Sequence, residues 1–281
     1  MVDQATDDES TVLGSPFDLA SHNNIAPPNP LYKYFKYPPV GSNEWIWTQD
    51  IFTKNEIYLA APKAFNDPFD SVTRYTYPRS PAERERLLKK FVCLHRLPIA
   101  EQAIRGWVRT GADIPYMDEV CEELTYQMQS ENAVFCMTEK RDNILMWAHY
   151  AGQHTGFCLE FGTDNPLFSR VRPVIYSRCH PKDDLEELLM AKVRPLPLYL
   201  VTKAEDWAYE KEWRLGDPGP GPGPREYPPE SLTGVILGCR MEEKNKEQIT
   251  EWCREREPRP TFYEAKERRS EFGLDIIPIT Y

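Results

Sequence analysis

Apolar residues return along this chain in two rhythms. Over residues 81–96, 99–109 and 116–129 they recur every three or four positions, the period of a helix lying on a core. Leu87, Leu88, Phe91 and Val92 form the first stripe, and Met117, Val120, Cys121, Leu124 and Met128 the third. Pro81 suits a first helical turn, and Arg84, Arg86, Lys89 and Lys90 read as that helix's solvated face. A shorter helix is predicted over 144–151, capped by Asp142-Asn143 and stopped by Gly152. Further helices are predicted over 183–193 and 242–256. The second kind of stretch is short and apolar, β-branched or aromatic, and reads as a strand at 30–37, 56–62, 133–138, 156–161, 174–176, 207–215, 233–238, 262–265 and 274–279; faces alternate in period two along 30–37 and 207–215, while 133–138 reads as a buried run. Between these runs, Phe65-Asn66-Asp67-Pro68-Phe69-Asp70 is turn chemistry, with a phenylalanine on each side to anchor it.

Strands and helices interleaved in this way predict an α+β fold, a mixed central sheet with helices packed around it. Residues 30–281 show no internal repeat and read as one domain. Residues 1–29 are polar, aperiodic and proline-containing, the composition of a disordered tail. The Gly-Pro run that opens 216–229 reads as a mobile loop between two strands.

Composition narrows the function. The 281 residues carry a net charge of −10, which argues against general nucleic-acid binding. No apolar run reaches the length of a membrane span, and the acidic N-terminus has no secretory pattern. Seven cysteines without a C-x-x-C pair read as reduced thiols of a cytoplasmic protein. No histidine–cysteine spacing has the form of a metal site, so no metal is expected.

The most reactive stretch is 207–215, Trp-Ala-Tyr-Glu-Lys-Glu-Trp-Arg-Leu. Extended, it sends Tyr209, Lys211, Trp213 and Leu215 to one face and Glu210, Glu212 and Arg214 to the other. Two carboxylates on one face, about 6–7 Å apart, are spaced to share a site. Arg214 reads as the partner of Glu212 or Asp70. His149, beside Trp147 and Tyr150, is a candidate base.

Leu31-Tyr32-Lys33-Tyr34, Phe65-Asn66-Asp67-Pro68-Phe69-Asp70, Met146-Trp147-Ala148-His149-Tyr150-Ala151, Tyr209-Glu210-Lys211-Glu212-Trp213-Arg214 and Ile236-Leu237-Gly238 together resemble domain-of-unknown-function family 2971. A more distant resemblance is to ADP-ribosyltransferases of the Glu-x-Glu type, on an early basic strand (Lys33, Lys36), Thr138 in a middle strand and Glu210-x-Glu212 entering a late one. The early strand lacks their arginine, and no Ser-Thr-Ser string is present. That resemblance implies a split sheet and NAD as substrate, in a toxin or defence effector acting on an unidentified acceptor. It implies Glu212 as stabiliser of the ribosyl cation, Glu210 orienting the acceptor, His149 assisting, and Lys33, Tyr34, Asn66, Asp67, Thr138, Trp147, Tyr150 and Arg214 around the ligand. Two alternatives stand beside it. One is a hydrolase or nuclease built from Asp67, Asp70, His149 and Glu210; the other is a non-catalytic binding module on the same scaffold.

Overall fold

A computed structural model describes residues 25–186, 198–217 and 219–280. In chain order its strands are β1 (Leu31–Phe35), β2 (Glu56–Leu59), β3 (Arg74–Thr76), β4 (Ala133–Thr138), β5 (Phe157–Phe161), β6 (Arg172–Pro173), β7 (Ile175–Ser177), β8 (Lys182–Asp184), β9 (Thr202–Ala204), β10 (Glu212–Asp217), β11 (Gly223–Glu226), β12 (Leu232–Leu237), β13 (Thr261–Glu267) and β14 (Leu274–Ile279). The helices are α1 (Asn43–Thr53), α2 (Pro81–Leu94), α3 (Glu101–Thr110), α4 (Asp113–Glu131), α5 (Ile144–Tyr150) and α6 (Glu243–Trp252). The fold is the expected α+β, built on an eight-stranded sheet of order β14-β13-β12-β5-β1-β4-β10-β6. Its neighbours are antiparallel except β12 and β13, which run parallel. A parallel pair needs a crossover, and α6 supplies it.

Alternation along each strand assigns the two faces. Leu31, Phe135, Met137, Leu159, Phe161, Trp213, Leu215, Val235 and Leu237 point to one side, where Phe52 of α1 and Ile249 and Trp252 of α6 close an apolar core. Tyr32, Tyr34, Cys158 and Ile236 point to the other, under Met146 and Trp147 of α5. Helices α2, α3 and α4 form a satellite cluster around Leu87, Leu88, Ile104 and Met117. The stripes predicted for α2 and α4 therefore do face apolar neighbours.

One irregularity opens the centre of the sheet. β1 pairs with β5 through five residues and β4 with β10 through six, but β1 and β4 meet only at Tyr32 and Thr138. Beyond that pair the centre of the sheet is not zipped.

Several expectations are corrected. Residues 205–210 are a 3-10 helix, Lys211 is left-handed (φ 47), and the strand starts at Glu212, so 207–215 is not one strand. The loop expected over 216–229 holds the end of β10, and β11 pairs with β2. Residues 183 and 184, expected to open a helix over 183–193, belong to β8, which pairs with β3, and the stretch 187–193 lies outside the described residues. Helix α1, not predicted, is capped by Ser42, whose side chain accepts from the Trp45 N–H. Arg84 is not solvated: it is buried and donates to Asp113 at 2.7 Å. Phe69 does not anchor its turn, being 67% exposed. The N-terminal stretch 1–29 falls largely outside the described residues, though Pro28 and Asn29 bond to Thr163. No described helix is long and apolar enough to cross a membrane.

Candidate functional site

Where β1 and β4 part, a pocket of about 120 Å³ enters the sheet on the side of Tyr32 and Tyr34. Aromatic rings of Tyr32, Tyr34, Phe65 and Tyr150 wall it, and Asp70, Lys203, Glu210, Glu212 and Arg214 line its charged part. Those five charged groups are buried, none exposed above 6%.

Each is placed by its backbone. Glu212 and Arg214 alternate with Trp213 and Leu215, so a strand that buries Trp213 on the apolar face must send the two charges to the opposite face. Glu210 reaches the same spot by a different route from the one the spacing suggested. It ends the 3-10 helix, and the left-handed Lys211 turns the chain so that both carboxylates meet Lys203. Thr138 fixes this turn. It pairs with Tyr32 and Glu212 across two strand partners, and its hydroxyl donates to the Glu210 carbonyl while accepting from the Lys140 N–H at 3.0 Å. Lys203 comes from β9, held by β7, whose Tyr176 hydroxyl accepts the Glu212 N–H at 2.8 Å. Asp70 follows the Asn-Asp-Pro turn, which Asp67 stabilises by accepting from the Phe69 N–H at 2.9 Å.

The polar contacts form one connected set. Arg214 donates through both terminal nitrogens to Asp70 (2.8 and 2.7 Å), through Nε to Glu212 Oε1 (2.8 Å), and to the Leu200 carbonyl (2.8 Å). Lys203 Nζ bonds Glu210 Oε2 at 2.5 Å and Glu212 Oε2 at 3.0 Å, and stands 4.9 Å from the centre of the Trp207 ring. Tyr150 donates to Glu210 Oε1 at 2.7 Å. Within this buried cluster three carboxylates face two cations, leaving one negative charge when all are ionised; Lys33, at the edge of the same pocket, supplies a third cation.

This set pulls the two glutamates apart in acidity. Burial pushes Glu210 up, and with Glu212 beside it the pull of Lys203 does not cancel the effect, so Glu210 titrates above the usual carboxylate range. Burial also works against Glu212, but Arg214 and Lys203 outweigh it and hold that carboxyl well below the usual range. Burial opposes the Lys203 ammonium, and Glu212 and Glu210 overcome it, keeping the charge. A pair of carboxylates with opposed shifts in one pocket is the arrangement that separates a proton carrier from a permanent anion.

The other sequence candidates divide. Lys33, Tyr34, Asn66, Thr138, Tyr150 and Arg214 line the pocket. Trp147 does not: it is fully buried, its indole N–H donates to the Arg141 carbonyl at 2.9 Å, and it buttresses Tyr34 edge-on. Asp67 bonds its own turn and the Trp207 indole instead of lining the pocket. His149 is exposed in a neighbouring groove, its ring centre 6.3 Å from those of Tyr150 and Trp207. Asp67, Asp70, His149 and Glu210 therefore form no common centre, and among the described residues no three His, Cys, Asp or Glu side chains gather to hold a metal ion.

Lys203 and Cys136 were missed. Lys203 is a lone charge in the apolar run 198–204, and that isolation was its signal. Cys136 shares a face with Thr138, which strand alternation alone reveals. Burial, with Glu212 nearby, pushes its thiol up, so it is no ready nucleophile.

No curated protein and no solved structure matches the chain. These comparisons give no match to an ADP-ribosyltransferase. The model of the family described as Protein of unknown function (DUF2971) matches residues 146–215, a stretch that carries Tyr150, Lys203, Glu210, Glu212 and Arg214 of the pocket.

Proposed function

We propose that this pocket is the active site of an ADP-ribosyltransferase-like enzyme with NAD as its substrate. The observation that carries the reading is a buried pair of glutamates with opposed acidity, in a buried charged cluster of net negative charge inside an aromatic-walled pocket. The nicotinamide of NAD is a cationic ring, and a cation is favoured by ring faces and by a neighbouring anion. Breaking its bond to ribose moves positive charge onto the sugar. A fixed carboxylate there gains strength as that charge develops, which lowers the barrier. Glu212 suits this role because Arg214 and Lys203 keep it ionised. Glu210, titrating higher, suits the proton: it accepts one from the incoming acceptor hydroxyl or amine, with Tyr150 and Lys203 orienting its two oxygens.

Release of nicotinamide and transfer of a labelled ADP-ribosyl group test the reading directly. Wild type releases nicotinamide, and Glu212→Gln loses roughly 100- to 1000-fold in rate, the usual cost of removing a preorganised electrostatic group. Glu210→Gln slows transfer by about 100-fold or more while keeping NAD affinity. Equal rates in all three proteins remove the proposal.

A second reading rests on the same contacts. All four carboxylate oxygens of Glu210 and Glu212 have partners, as in a wall that recognises a ligand without reacting. NAD bound and recovered intact from wild type favours that non-catalytic module.

A further inference from the structure

The pocket opens beside a wider groove of about 650 Å³, and the two share Lys33, Tyr34, Phe65, Asn66 and Tyr150. Two features of the groove bear on its ligand. Trp47 of α1 lies stacked on Tyr58 of β2, ring centres 4.3 Å apart and planes within 19°, and it is 38% exposed, so the pair offers an open flat face. Lys36 lines the groove, and Lys33 stands where groove and pocket join. Neither lysine is in a salt bridge among the described residues, in a chain of net charge −10. Glu44 is the one carboxylate among the groove's lining residues, beside Lys33 and Lys36, whereas in the pocket three carboxylates meet Lys203 and Arg214 in its depth and Lys33 at its edge. The charge therefore runs from the net-negative buried cluster, past Lys33 and Lys36, to an aromatic platform.

We infer that the groove holds the adenosine half of the same NAD molecule, with the adenine on Trp47 and the diphosphate at Lys33 and Lys36. This rests on the NAD reading of the pocket. A ligand cationic at one end, anionic in the middle and flat at the other matches the order of charges. An exposed indole binds any planar base through its face. Lys36 has no ion-pair or ring partner among the described residues, while the Lys33 ammonium, 5.1 Å from the centre of the Phe135 ring, exchanges that weak contact for a phosphate. The groove thus selects a dinucleotide over a nicotinamide nucleoside.

Calorimetric titration of the full chain with NAD, ADP-ribose and nicotinamide mononucleotide tests the inference, using wild type, Trp47→Ala, Trp47→Phe and Lys36→Ala. Trp47→Ala weakens NAD and ADP-ribose by about ten-fold or more and leaves the mononucleotide within about two-fold. Trp47→Phe restores most of the loss. Lys36→Ala weakens NAD and flattens the dependence of its affinity on salt. If NAD binds wild type and these variants alike, the groove assignment is wrong and the pocket reading stands. An equal loss for NAD and the mononucleotide in Trp47→Ala also overturns the assignment, because it marks a general disturbance of the fold. A wild type that binds no NAD overturns both.

Discussion

Trp213 and Leu215 leave strand β10 on one side of the sheet, Glu212 and Arg214 on the other, and all four are buried. The apolar pair joins a core in which each ring and methyl removed from water adds stability. The charged pair takes up the same kind of space at a desolvation cost that its ion pairs offset and do not exceed. A residue set that stabilises by shape alone tolerates any filling of similar volume. A set that is expensive to bury, fully paired, and located at a gap in the sheet is not accounted for by filling space alone. The contrast within one strand is what supports the proposed site on this face.

The largest expected effects test the two faces directly. Trp213→Ala costs about 3–5 kcal/mol through lost burial and a cavity. Arg214→Ala costs a similar amount, about 3–5 kcal/mol, because it strands Asp70 and Glu212 without their main partner. The faces part in the double variant. Asp70→Ala with Arg214→Ala costs less than the two single changes together, by about 0.5–3 kcal/mol, since removing both leaves fewer buried charges unpaired. Denaturant unfolding measures all of these, and strict additivity would show that the charged face behaves like ordinary packing.

A smaller effect concerns pH. The folded protein holds a proton on Glu210 over a range where the unfolded chain has lost it, because burial raises its folded pKa. Stability from this group therefore rises as pH falls from the folded value toward the unfolded one near 4.3, and levels off below. Glu212 runs the other way: its contribution is present above that unfolded value and is lost as pH falls through its depressed folded value. Wild type shows the Glu210 slope in urea midpoints across mildly acidic pH, and Glu210→Gln lacks it. Identical slopes would mean that Glu210 is not the raised group.

Two further changes are modest. Asn143→Ala removes the cap of α5, whose side chain accepts from the N–H groups of Leu145 (2.9 Å) and Met146 (3.2 Å), at about 1 kcal/mol. Its effect on the site exceeds its effect on stability, because α5 carries Tyr150. Arg86→Ala breaks the exposed pair with Glu186 and changes the unfolding free energy by no more than about 0.5 kcal/mol.

Much of this molecule was readable from local chemistry. The stripes of α2 and α4, the Asn143 cap and the alternation of β1, β4 and the 212–215 part of β10 all follow from period and side-chain type. The two glutamates were rightly grouped for a partly wrong reason. Even spacing suggested one strand face, but a 3-10 helix and the left-handed Lys211 bring them together. A non-glycine residue at positive φ leaves little trace in sequence. Lys203, only nine residues before Glu212, is brought to it by the turn between β9 and β10. Asp70 reaches Arg214 from 144 residues away, and such convergence is a property of topology, not of any motif. The separation of β1 from β4 has the same origin, because it depends on how two strands meet. Trp147 misled through composition: an indole beside a histidine and a tyrosine suggests a binding platform, yet its helix turns it inward.

The central claim, that the charged face of β10 binds NAD, is tested most directly by thermal unfolding of the full chain with and without NAD. At NAD concentrations about 100 times the dissociation constant, wild type gains about 2.7 kcal/mol and its midpoint rises with concentration, while Glu212→Gln shows a clearly smaller rise. An unchanged midpoint in wild type, matched by the variant, contradicts the account.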